Sequence, residues 1–193
     1  MPNETHRTKR DEILEVACEL FYEQGYHQTG IHQIIQRANT AKGTFYSHFP
    51  SKEHLGVCWL KARHQQWMRS LQESIEQEED AKSRLLGIFK FIGNWMVESD
   101  YRGCAFINTL CETPQQGSLL RKETAEHKQS LIEFLEPIIS ELHPGQSPKQ
   151  HRDKARFLFL LIEGTIVAMQ NFKATWPAEV ALRLVEARLF QEN

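Results

Sequence analysis

The sequence predicts an all-α protein, and three observations carry that reading. Apolar residues recur at helical spacing in one segment after another. The ten glycines and seven prolines gather at a few places, without the regular punctuation every roughly 8–12 residues that short strands need. With 193 residues, 40% of them hydrophobic and 25% charged, the chain has enough apolar material for one sizeable core or for a small head joined to a larger body.

From residue 8 to residue 24, Ile13, Leu14, Ala17, Leu20 and Phe21 fall on one face of a helix, and Gly25 is a natural stop. The texture then changes. Two short segments, 31–38 and 42–48, are separated by Asn39-Thr40-Ala41, and Phe49-Pro50-Ser51 resets the chain. Two short helices meeting at a sharp angle are expected, with Ile31, Ile34, Ile35 and Ala38 facing inward from the first and Phe45 and Phe49 from the second. Longer helices follow over 51–78, 82–99, 103–112, 115–142, 148–173 and 177–190. In the second of these Leu85, Phe89, Ile92 and Met96 repeat at helical spacing. Pro114, the loop 143–148 and Trp176-Pro177 supply the breaks. No internal repeat or low-complexity segment occurs.

Charge and cysteine usage narrow the setting. A net charge of −2 argues against a generic polyanion binder. Four cysteines without CxxC spacing read as reduced thiols in a cytosol. The polar N-terminus lacks the apolar core of a signal peptide. The longest apolar run, 157–168, contains Glu163 and is too short to span a bilayer. A cytoplasmic protein without a membrane partner is expected. The near-neutral total is uneven, however: residues 1–64 sum to +1 and residues 65–193 to −3. Residues 25–52 contain no Asp or Glu, while Arg37, Lys42, Lys52 and three of the nine histidines lie there. Such a face avoids phosphate repulsion, and its Ser, Thr, Asn and Gln side chains suit contacts to phosphates and base edges.

The stretch from Ile13 through Leu55, above all Lys42-Gly43-Thr44-Phe45-Tyr46-Ser47-His48-Phe49-Pro50-Ser51-Lys52-Glu53, resembles the helix-turn-helix signature of the TetR family of bacterial transcriptional regulators. The resemblance covers the first quarter of the chain. It implies a three-helix DNA-binding head over residues 1–52 and a helical-bundle body over residues 53–193 that binds an effector and dimerises. It also implies that Thr29, His32, Thr40, Lys42, Gly43, Thr44, Tyr46, His48 and Lys52 meet DNA. Tyr46 and Lys52 would mainly hold phosphates, whereas Lys42, Gly43 and Thr44 would lie nearest the bases. The sequence departs from the family pattern where Gly-Val-Ser is usual and Asn39-Thr40-Ala41 stands here. Asn tolerates a left-handed turn. Ala41 loses the hydroxyl that would cap or touch phosphate, a role Thr40 is able to take.

In the body, Phe157, Leu161, Gly164, Ala168 and Phe172 form one stripe and Val180, Leu184 and Ala187 another, with Leu182, Val185 and Leu189 beside it. By resemblance these helices build a two-fold homodimer whose paired heads read a palindromic operator in double-stranded DNA. Cys104, Asn108 and Glu112 stand at i, i+4 and i+8, a polar line on an apolar helix. The block resembles a TetR subset with Gly-Cys, Asn and Glu at these spacings and a following His, here His127, that includes sensors of electrophiles or oxidants. Three readings of Cys104 stand side by side. It is a reactive sensor favoured by the helix dipole and Arg102, a lining residue of a non-covalent pocket, or a small buried hydrophobe. Trp67, Phe89, Trp95 and Phe106 would add an aromatic lining. No catalytic group, cofactor or metal is expected, since Cys104, Glu112 and His127 lack close ligand spacing. The function implied is a regulator, as a repressor, released by an unidentified small-molecule or electrophile effector. The rival readings are a helical-bundle enzyme using Cys104 and His127, and a dimeric binding protein without DNA recognition.

Overall fold

A computed structural model describes residues 7–113 and 115–189; the expected break at Pro114 and the expected helix end at Phe190 lie outside the described residues. The helices are α1 (Lys9–Gln24), α2 (Ile31–Arg37), α3 (Lys42–His48), α4 (Lys52–Ile75), α5 (Ala81–Glu98), α6 (Ala105–Glu112), α7 (Leu119–Leu142), α8 (Pro148–Phe172) and α9 (Trp176–Leu189). Local chemistry explains several ends. Thr8 and Asp11 form a capping box at the start of α1, and Gly25, at φ 92°, closes its end. Asp80 caps α5 by accepting from the Ser83 amide at 2.8 Å. Ser147 and Gln150 form a second capping box ahead of α8, with Pro148 in its first turn.

Two compact units result. One comprises the described residues up to His64 together with Ala105–Ala125; the other comprises Gln65–Cys104 together with Glu126 onward. These units differ from the division after residue 52 suggested by the motif. In the first, Ile13, Ala17, Leu20 and Phe21 of α1 pack with Ile34, Phe45 and Phe49, and Leu55, Trp59, Leu60 and Leu120 are buried with them. Gly56 shows why the start of α7 belongs here: a Cβ on it would stand 2.7 Å from the Tyr26 ring and 2.9 Å from a Leu120 methyl. Burying each of the Leu, Ile and Phe side chains in this core contributes roughly 1.5–3 kcal/mol.

In the second unit α5, α8 and α9 pack on one another. Leu85, Ile88, Phe89, Ile92 and Met96 face Leu158, Ile162, Ile166 and Met169 and the buried Ala181, Val185 and Leu189. Gly103, at φ 80°, leads into α6, and the Gln170 carboxamide donates to the Arg102 carbonyl at 3.0 Å. A Cβ at Gly103 would lie 2.3 Å from Gln170 Oε1, so both backbone angle and space call for glycine. By length and composition α8 is apolar enough to cross a membrane. Its Glu163 is paired within the unit, and it packs on α5 and α9.

Candidate nucleic-acid interface and effector site

The turn between α2 and α3 forms as the sequence implies: Asn39 takes φ 44°, a left-handed angle Asn accepts. Ala41 is the N-cap of α3 and gives no side-chain cap. Phe45 and Phe49 anchor α3 from below. Its other side presents Lys42, Gly43, Ser47 and His48 to solvent, with Thr44 half-buried. Tyr46 is 41% exposed and edge-on to Phe45, centroids 5.2 Å apart. His32 is exposed on α2, and Thr40 is half-buried. Gly43 has no internal reason to be glycine, because a Cβ there would meet no atom within 4 Å. The space it leaves opens outward, where a closely approaching partner would need it.

Three residues of this region sit otherwise than expected. Thr29 is fully buried, and its hydroxyl donates to the Leu20 and Gly25 carbonyls at 3.2 and 2.8 Å. Its side chain therefore shapes the turn and is withdrawn from solvent. Arg37 is paired with Glu19 at 2.8 Å and lies 3.8 Å from Glu23, so α1 supplies acids that offset one of the three charges counted in residues 25–52. Lys52 is half-buried. It donates to the His27 carbonyl at 3.2 Å and lies 4.5 Å from the Tyr26 ring centroid. Burial lowers its pKa from the ordinary lysine value, with the Glu112 carboxylate opposing. Arg10, missed by motif reading, is an exposed cation stacked 5.1 Å from the Phe49 centroid at the end of α3. Nothing in the local pattern of α1, whose periodic residues form a packing stripe, marks Arg10.

The second unit gathers two clusters. Cys104 is buried just ahead of α6, and its sulfur accepts a hydrogen bond from Lys128 Nζ at 3.3 Å. Lys128 also donates to Glu163 at 2.7 Å, the two side chains being only 15% and 18% exposed. Burial works against the lysine charge, but Cys104 and Glu163 outweigh it and hold the Lys128 pKa above the ordinary value. The cation placed against the sulfur is thus Lys128, where the sequence suggested Arg102. The second cluster is aromatic. Trp67 lies edge-on to Phe91, Trp95 and His127, with centroids 5.6, 5.8 and 5.9 Å away. The Trp67 indole N–H is buried without a hydrogen-bond partner, an unpaid donor that a bound acceptor atom would satisfy.

Other expected effector residues fall elsewhere. Phe89 is fully buried in the α5 core stripe. Phe106, Asn108 and Glu112 belong to the first unit, and the Glu112 carboxylate accepts from the His27 backbone amide at 2.5 Å. All four cysteines are free thiols, Cys111 exposed; burial raises the Cys18 pKa to about 11. Among the described residues no group of three His, Cys, Asp or Glu side chains is placed to hold a metal ion.

Comparison with known proteins bears on both units. Residues 13–56 match the family described as bacterial regulatory proteins, tetR family. The fatty acid metabolism regulator protein of Bacillus subtilis is 29% identical over 161 residues, which span 83% of this chain and 80% of that one. The HTH-type transcriptional repressor NemR of Escherichia coli is 22% identical over 191 residues, 96% of each chain. Among solved structures, a TetR-family transcriptional regulator from Streptomyces coelicolor has a TM-score of 0.82 over 94% of both chains at 23% identity. The reduced form of E. coli NemR has a TM-score of 0.79 over 93% of this chain and 96% of that one, at 20% identity.

Proposed function

We propose that the chain is a DNA-binding transcriptional regulator of the TetR family, acting in the cytoplasm as a homodimeric repressor of a palindromic operator and released by a small-molecule or electrophile effector; the family match over residues 13–56 and the regulators similar to the whole chain support this reading. Its relatives are regulators and not enzymes, which removes the reading of Cys104 and His127 as a nucleophile and base. The observation that carries the DNA surface is Gly43: an exposed glycine in a helix, with open space where a side chain would point. Lys42, Thr44, Tyr46 and His48 flank it, and His32 and Thr40 extend the same acid-free segment. Lys42 and Thr44 would lie at the bases, Tyr46 and Arg10 at phosphates. Lys52 is assigned to phosphate through the family resemblance, and its bond to His27 would orient it. The working division keeps residues 1–52 as the DNA-reading segment and residues 53–193 as effector and dimerisation segments.

Dimerisation is supported by apolar side chains left in solvent. Phe157, Leu160, Val167 and Phe172 on α8 are 44%, 67%, 46% and 58% exposed, and Trp176 and Leu184 on α9 are 47% and 42% exposed. Leu160 and Val167 replace the half-buried Leu161 and Ala168 in the stripe expected from sequence. Gly164 sits within it, and a Cβ there would meet nothing in its own chain, leaving room for a second helix to approach. The effector reading rests on Trp67, Trp95 and His127, joined by Phe91, with the unsatisfied indole N–H offered to an acceptor atom of the ligand. Cys104 beside Lys128 is the point an electrophile would modify.

Selection of bound duplexes from random DNA tests the proposal. The Lys42→Ala/Tyr46→Phe double variant is expected to bind the selected duplex at least about tenfold more weakly, with a salt slope reduced by about one to two units. Equal affinity in wild type and double variant would remove α3 as the reading helix. Release of wild type by a maleimide, lost in Cys104→Ser, would support covalent sensing; release retained in that variant would leave the repressor and end the covalent reading.

A further inference from the structure

The polar residue farthest along the Cys104-Asn108-Glu112 line is engaged by the turn that follows α1. Glu112 is the last residue of α6, where the helix presents its unsatisfied carbonyls and a carboxylate is locally unfavourable. A side chain set against local preference needs a tertiary partner to explain it, and Glu112 has one. Its Oε2 accepts from the His27 amide at 2.5 Å. Its Oε1 occupies the space beside Gly25, where a Cβ would stand only 2.7 Å away. Gly25 is therefore glycine twice over: φ is 92°, and the carboxylate fills the volume a side chain would take.

The same short turn is held from a second side. The His27 carbonyl accepts from Lys52 Nζ at 3.2 Å, and that ammonium also rests on the Tyr26 ring. Both polar backbone groups of His27 are thus bound by charged side chains from outside α1 and α2, one from the end of α6 and one from the start of α4. Within the turn, Thr29 bonds the Gly25 carbonyl. Beyond it, α2 starts at Gly30 without a side-chain cap, so its own first turn contributes little to fixing its direction. α2 and α3 both pack on α1, and the turn sets how α2 leaves it.

We infer that Glu112 is a positioning residue for DNA recognition: its carboxylate, with Lys52 opposite, clamps the Gly25–His27 turn and so fixes the α2–α3 pair in the DNA-reading arrangement. This rests on the reading of the chain as a DNA-binding regulator. Glu112 touches no DNA in this scheme. It acts through the backbone of residue 27, and an amide oxygen in its place would still accept that bond while a methyl would not.

The experiment uses the full-length protein and the duplex recovered by selection from random DNA. Glu112→Ala is expected to weaken binding about tenfold, the scale of one charge-assisted hydrogen bond, whereas Glu112→Gln stays within about threefold of wild type. Amide hydrogen exchange read at His27 supplies a measurement independent of DNA. In wild type that amide should exchange at least about tenfold more slowly than in Glu112→Ala, while the α1 and α3 amides exchange equally in both. Wild-type affinity in a folded Glu112→Ala overturns the inference, and so does unprotected exchange at His27 in wild type. If Glu112→Ala fails to fold, protection of His27 in wild type and in Glu112→Gln decides it. A wild-type protein that selects no duplex at all refutes the DNA-binding reading instead, and leaves the exchange result to report on the clamp alone.

Discussion

Replacing Lys128 with methionine keeps the length of the side chain and removes its charge, and the surroundings set the cost. The ammonium serves two acceptors at once, Cys104 Sγ at 3.3 Å and Glu163 at 2.7 Å. With Lys128 gone, Glu163 is left as a carboxylate that is 18% exposed and has lost its cation. Stripping one partner from a buried ion pair costs about 3–5 kcal/mol. Residual solvent access on both side chains reduces this, and about 2–4 kcal/mol of lost stability is expected for Lys128→Met. The double variant Lys128→Met/Glu163→Leu removes the stranded charge and should recover to within about 1 kcal/mol of wild type, because well-packed apolar pairs replace buried ion pairs at little cost. Urea unfolding at one fixed protein concentration measures all three proteins. A silent single variant, or a double variant as unstable as the single, would refute the view that this pair is buried and mutually dependent.

The same pair fixes a pH dependence. The folded-state pKa of Lys128 lies above the ordinary lysine value of 10.5, so folding favours its protonated form. Its contribution is fully present below the unfolded value and is lost as pH rises through the folded one. The stability difference between wild type and Lys128→Met should therefore be flat from neutral pH to about pH 9 and shrink only at more alkaline pH. A difference that vanished between pH 6 and pH 8 would contradict the assignment.

Two further outcomes separate surface from core. Gly43→Ala should leave stability unchanged or raise it by about 0.5–1 kcal/mol, since alanine favours helix and no atom of the chain opposes its Cβ; affinity for the selected duplex should nonetheless fall, and undiminished binding would end the close-approach reading of that residue. Leu160→Glu places a charge at the most exposed apolar position of α8, 67% accessible, and should shift sedimentation toward the monomer while helical content is retained; an unchanged dimer would move the interface elsewhere.

Local signals marked most of the helices correctly, and tertiary ones account for the differences. α3 and the end of α7 fall where the sequence puts them because Pro50 and Pro144 break the chain within two residues of each helix end. α4 stops at Ile75 and not at residue 78, since the acidic stretch after it has no apolar face to bury. α7 starts at Leu119 and not at residue 115, because Gly117 takes φ 86°. The segment proposed to face DNA is marked in the sequence by its absence of acids. The burial of Thr29 and the neutralisation of Arg37 are not, because both depend on how α2 lies against α1. Lys128 stands 24 positions from Cys104, and nothing in the local pattern links the two.

The line Cys104-Asn108-Glu112 shows what periodicity leaves undetermined. Spacing of four places three side chains near one helical face, and a polar stripe on an apolar helix reads naturally as a ligand contact. The helix begins only at Ala105, so Cys104 precedes it and takes its partner from α7. Glu112 ends it and takes its partner from the turn after α1. Spacing therefore specifies a face, whereas function depends on what each position along that face meets. Cys104 and Glu112 stand only eight positions apart in the chain, yet they belong to different compact units.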